Sequence, residues 1–113
     1  MAVTNALAGV AVTELVAAIA WYSRLLDRPP DTRPMEGLAE WSFQNGGWMQ
    51  VFEDAGRAGR SSITLVEDDL DRRLADLEAK GIAIESTSIS EMAKVAILRD
   101  PDGNLVVFAE ALA

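Results

Sequence analysis

The chain has 113 residues, half of them hydrophobic and a quarter charged, the length and composition of one globular domain rather than a disordered tail. Ten Lys and Arg stand against eighteen Asp and Glu, a formal net charge of −8, which argues against nucleic acid or an anionic membrane surface as partner and fits a soluble cytoplasmic protein. There is no cysteine and no histidine, which excludes disulfides, thiolate metal sites, thiol nucleophiles and imidazole bases and leaves only oxygen ligands for a metal.

The N-terminus MAVTNALAGV has no basic region ahead of an apolar one, so no signal peptide is expected, and no apolar run is long enough to span a membrane. Leu7 to Val12 reads as a buried strand. Thr13 follows as a candidate N-cap with Glu14 in the first turn, and Leu15, Ile19, Tyr22 and Leu26 recur at helical spacing until Pro29 and Pro30 stop the helix. Residues 31–37 read as a loop. Leu38 to Phe43 and Trp48 to Phe52 read as strands joined at Asn45-Gly46, a strong hairpin signal.

Ala55 to Arg60 is a glycine-bearing linker, and its glycines lack the following Lys-Ser/Thr of a phosphate-binding loop. Ser61 to Val66 is a strand. Asp68 is the expected N-cap of a second helix with Leu70, Leu74 and Leu77 on its buried stripe. Asp68–Arg72 and Asp69–Arg73 are spaced as i,i+4 pairs, and Lys80-Gly81 marks the helix end. Further strands are expected at 82–86, 94–99 and 104–109, the last two joined by the turn Asp100-Pro101-Asp102-Gly103.

The pattern Val12-Thr13-Glu14-Leu15 returns as Glu67-Asp68-Asp69-Leu70 about 55 residues later, half the chain away. Each half reads strand, helix, then strands, and neither is large enough to bury a sheet face alone. The expected fold is α+β: two tandem βαβββ motifs, near 1–57 and 58–113, forming a curved, barrel-like mixed sheet around a cleft with the helices outside.

The helix segment Ala20-Trp21-Tyr22-Ser23-Arg24-Leu25-Leu26, the segment Leu65-Val66-Glu67-Asp68-Asp69-Leu70 and the terminal Asp100-Pro101-Asp102-Gly103-Asn104 together resemble the vicinal oxygen chelate superfamily of glyoxalases, extradiol dioxygenases, fosfomycin-resistance transferases and bleomycin-binding proteins. The resemblance spans nearly the whole chain. It implies paired βαβββ motifs and a homodimer, but no single reaction. The family's metal ligands would fall at Leu7, Ser62 and Val107, none a useful ligand, and Glu110 reads as a surface acid near the C-terminus. The resemblance therefore implies a member without the usual metal site and with no cofactor.

A two-residue Asn45-Gly46 turn would oppose Phe43 to Trp48 and Trp41 to Gln50. Ala39, Trp41, Phe43, Trp48, Gln50 and Phe52 would then share one face. This aromatic face is either the wall of a ligand cleft or ordinary core or dimer interface. The resemblance points Val95, Ile97 and Arg99 inward, where a guanidinium can bind a carboxylate or phosphate, and Thr64 shares an inward set with Ser62 and Val66. Trp21 and Tyr22 read as core, and the acids from Glu67 to Asp71 as helix capping. Glu40, Glu53 and Glu91 are the candidate general bases.

The expected ligand-binding set is Trp41, Phe43, Trp48, Gln50, Phe52, Thr64 and Arg99. The leading expectation is metal-independent binding of a small planar or apolar molecule, antibiotic sequestration being its most concrete form. The alternatives are a metal-free isomerase, lyase or cyclase using a cleft carboxylate and Arg99, and a homodimeric interaction module.

Overall fold

A computed structural model describes residues 2–112. One pattern occurs twice in it. The first half runs β1 (Leu7–Val12), α1 (Leu15–Leu26), β2 (Thr32–Met35), β3 (Leu38–Ser42) and β4 (Trp48–Glu53). The second runs β5 (Ser62–Val66), α2 (Leu70–Ala79), β6 (Ser86–Ile89), β7 (Ala93–Arg99) and β8 (Leu105–Ala111). Each half makes a four-stranded sheet, ordered β1-β4-β3-β2 and β5-β8-β7-β6. In both, the first strand pairs parallel with the last and the remaining pairs are antiparallel. These are the two βαβββ motifs expected from the repeat; the two sheets curve without closing into a barrel.

Helices cover one face of each sheet. Val10, Val12, Ala39, Trp41, Met49 and Val51 of the first sheet and Ile63, Leu65, Ala96, Leu98, Val106 and Phe108 of the second are buried there with Leu15, Tyr22, Leu25, Leu70 and Leu77 from the helices. Alternation along each strand leaves every second residue on the opposite, uncovered face. That face carries the candidate site.

Helix starts differ from the sequence expectation in an instructive way. Glu14, not Thr13, is the N-cap of α1, and its side chain makes no cap bond. The first helical N–H, at Leu15, instead donates to a Glu53 carboxylate oxygen at 3.0 Å from the end of β4. The second half repeats the device: Leu70 N–H donates to Glu110 Oε1 at 2.7 Å from the end of β8. Glu110 is thus a half-buried capping group rather than a free surface acid. A carboxylate at a helix N-terminus satisfies an orphan donor and complements the dipole. In α2 the N-cap is Asp69, whose carboxylate accepts from Arg72 N–H at 3.1 Å, one residue beyond the expected Asp68.

Neither expected i,i+4 pair forms. Arg73 turns to Glu67 at 2.8 Å, with its guanidinium over the Phe108 ring at 5.4 Å. Past α2, Gly81 takes φ 73°, and its N–H and that of Ile82 donate to Glu78 O and Leu77 O, a Schellman ending. Ile82 is drawn into the core, so residues 82–85 are irregular and β6 starts later than the sequence suggested. Residues 32–35, expected as loop, form the edge strand β2; its Pro34 is tolerated because an edge strand leaves one side unpaired.

The halves are joined by the Asp100–Asn104 turn. Asn104 is fully buried. Its Nδ2 donates to Ala11 O at 2.7 Å and to Asp100 Oδ2 at 2.8 Å, while its Oδ1 accepts from Ser61 N–H at 2.9 Å. Tyr22 Oη donates to Asp100 Oδ2 at 2.8 Å, and Asp102 accepts from both the Thr13 hydroxyl and its N–H. The Tyr22 phenol is pushed far above its ordinary range, first by burial and then by the Asp100 carboxylate.

Candidate functional site

The β3–β4 connection decides which side chains share a face. Gly46 N–H donates to Phe43 O at 3.0 Å, Phe43 N–H donates to Gly47 O at 2.8 Å, and Gly46 has φ 95°. This is a type I turn completed by a left-handed glycine, one residue longer than a two-residue Asn45-Gly46 turn. The pairs are therefore Ser42–Trp48, Trp41–Met49, Glu40–Gln50, Ala39–Val51 and Leu38–Phe52. A one-residue slip reverses one strand's faces relative to the other, and the aromatic set expected on one face is divided.

Trp41 lies on the helix side and is 0% exposed. Its ring packs toward Tyr22, centroids 6.2 Å apart, and its Nε1–H donates to Arg28 O at 3.1 Å. Phe43 sits in the turn at the core's rim, under the Arg28 guanidinium at 5.6 Å. Trp48, Gln50 and Phe52 remain together on the uncovered face, each half-buried.

Three cross-strand rows make up this face. Leu7, Trp48 and Ser42 form one, Ala11, Phe52 and Leu38 another. Between them runs a polar row, Gly9–Gln50–Glu40–Thr32. Gln50 Nε2 donates to Glu40 Oε2 at 2.7 Å. A Cβ on Gly9 would lie 3.3 Å from Phe52 Cε1, so the bare backbone there gives the ring its place. The Arg57 guanidinium stands over the Phe52 ring at 5.0 Å and pairs with Asp54 at 2.7 Å.

With a two-residue turn Glu40 would face away from Gln50; the observed register sets the two side by side, and Gly9 and Arg57, which carry no signal of a site in the sequence, join that face. A glycine inside a strand is a signal of close approach, but which ring approaches it depends on register.

Thr64 and Arg99 lie on the uncovered face of the second sheet, on different strands flanking β8. Thr64 is exposed beside Ser62 and Val66. Arg99 is half exposed, pairing with Glu85 at 3.1 Å and donating to Gly103 O at 3.1 Å. Of the candidate bases, Glu53 is engaged in capping α1 and Glu91 is exposed in the β6–β7 turn; Glu40 alone faces the site.

The positions that the resemblance assigns to metal ligands fall on the uncovered faces, Leu7 on the first sheet and Ser62 and Val107 on the second. Together they offer a single hydroxyl, a donor set that does not fit a divalent cation. No cluster of three or more acids among the described residues replaces them. Among those residues no helix is long and apolar enough to cross a membrane.

A search of the curated proteins finds no match to the chain. Among solved structures, a glyoxalase/bleomycin resistance protein from Catenulispora acidiphila superposes with a TM-score of 0.87 at 32% identity, covering 96% of this chain and 99% of that one. TnmS3, an antibiotic binding protein from Streptomyces, superposes with a TM-score of 0.84 at 19% identity over 98% of both chains. A lactoylglutathione lyase from Agrobacterium tumefaciens gives 0.78 at 19% identity over 95% and 92% of the two chains. The last two show a shared fold. The family model of the glyoxalase/bleomycin resistance protein/dioxygenase superfamily matches residues 5–108, and with the two βαβββ sheets and the 32%-identical relative this chain belongs to that superfamily.

Proposed function

We propose that this chain is a single glyoxalase-like domain that binds a small molecule, metal-independently, on the uncovered sheet faces, and that two copies pair to enclose the ligand in the cytoplasm. The observation that carries the reading is the first sheet's free face, where Trp48, Phe52 and Leu38 surround the Gln50–Glu40 pair without a helix over them. An apolar surface with a few placed polar groups is the usual make-up of a ligand site. Sequestration of an antibiotic is its most concrete form, favoured by the fold shared with an antibiotic binding protein. Thr64 and Arg99 belong to the second face and would meet another part of the ligand. Trp41 is left out of the contact set by its burial.

The test uses the three tryptophans. Trp41 is buried and Trp21 half-buried against Tyr22, so Trp48 is the one on the uncovered face. Titration with planar aromatics, glycopeptide antibiotics and small carboxylates is expected to give a saturable fluorescence change that W48F abolishes and W21F keeps. Ligand mass unchanged after incubation accords with binding; an altered mass would replace this reading with catalysis. Light scattering that reports only monomer would remove the paired arrangement.

A further inference from the structure

We propose that the ligand held on this face carries a flat cationic group, received by Glu40 between Trp48 and Phe52; the proposal rests on the binding reading above. Glu40 occupies the middle of the polar row, with its neighbours Leu38–Phe52 on one side and Ser42–Trp48 on the other. One carboxylate oxygen takes the Gln50 amide. The other receives no hydrogen bond among the described residues, and no Lys or Arg comes within salt-bridge distance of Glu40 there. That oxygen is open to solvent on a half-buried, aromatic-flanked face, free to receive a cation or donor from a ligand.

Beside it Gly9 pairs with Gln50, and the space its missing side chain leaves is taken by the Phe52 ring. Phe52 already shows the preference of the face, because the protein's own Arg57 guanidinium rests on its ring. Arg57 is largely exposed, so its guanidinium can be displaced. A planar cation stacked there would gain the ring quadrupole and the Glu40 charge together. An anion would meet an uncompensated carboxylate on a chain of net charge −8.

The experiment compares three flat tricyclic compounds by calorimetry at pH 7.5: proflavine, a cation; acridine, neutral at that pH; and acridine-9-carboxylate, an anion. Wild type is expected to bind proflavine about tenfold more tightly than acridine, the size of one charge-assisted contact, and the anion least. Glu40→Gln should erase that preference by bringing proflavine affinity down to that of acridine measured on the same variant, and Gln50→Glu should enlarge it. Circular dichroism checks that both variants are folded.

Equal binding of proflavine and acridine, or a preference that survives Glu40→Gln as general attraction to net charge, overturns the cation assignment but leaves the aromatic-face reading standing. Failure of all three to bind wild type overturns both.

Discussion

Replacing Tyr22 by Phe removes one oxygen and leaves the ring. Tyr22 is fully buried, and its hydroxyl donates at 2.8 Å to Asp100, itself 5% exposed. Asp100 takes three further donors, from Asn104 Nδ2, Asn104 N–H and Asp102 N–H, and no cation among the described residues reaches it. A hydrogen bond to such a carboxylate is worth about 2 kcal/mol, so Tyr22→Phe should lower stability by that amount at pH 8. In urea the midpoint should fall by about 1 to 2 M with an unchanged slope.

The pH dependence sharpens the test. Burial and the Asp100 charge hold the folded phenol far above its ordinary range. Below pH about 10 the tyrosine is neutral in both states and contributes no slope. Above it only the unfolded chain loses the proton, so wild type loses stability as pH rises, by about 1.4 kcal/mol at pH 11. Tyr22 is the chain's one tyrosine, so the variant lacks this contribution, while the lysines cancel between the two proteins. The gap between them should shrink from about 2 to about 0.6 kcal/mol between pH 8 and pH 11. A gap that stays constant would refute the buried, hydrogen-bonded phenol, and a gap below about 0.5 kcal/mol at pH 8 would refute the bond's contribution.

Further substitutions probe the contact between the halves and the helix cap within each. Gly59 has φ 87°, and a Cβ there would stand 2.5 Å from Asp102 O; Gly59→Ala should cost more than about 2 kcal/mol in urea denaturation, from backbone strain and displacement of the 100–104 turn together. Glu53→Ala and Glu110→Ala each remove a carboxylate from the first N–H of a helix; each should cost about 1 kcal/mol, and the double variant about the sum, since the caps lie in different halves. Strong non-additivity in thermal or urea melts would show that the two caps are coupled.

The strand–helix–strand repeat was legible because local chemistry sets it. Alternation, helical spacing of Leu15, Ile19, Tyr22 and Leu26, and the Asp-Pro-Asp-Gly turn each act over a few residues. The superfamily was legible for the same reason: its marks are local segments at a fixed offset. The aromatic candidates were a different matter. Trp48, Gln50 and Phe52 alternate on one strand and so stayed together, whereas Trp41 depended on a single extra residue in the Phe43–Gly47 connection.

Asn-Gly is compatible with turns of two lengths, and only pairing of both strands under α1 chooses between them, by burying Trp41 and Met49 rather than Trp41 and Gln50. Likewise Glu53 and Glu110 read as chain acids until β4 and β8 brought them to helix starts some forty residues away. Sequence determined most of the elements, their order and the absence of imidazole and thiol chemistry, because residue type and near-neighbour spacing suffice for those, whereas the edge strand β2 and the start of β6 followed from packing. Which side chains look outward together, and which acid meets which helix, was decided only by tertiary structure, because register and long-range contact are set by packing the whole sheet at once.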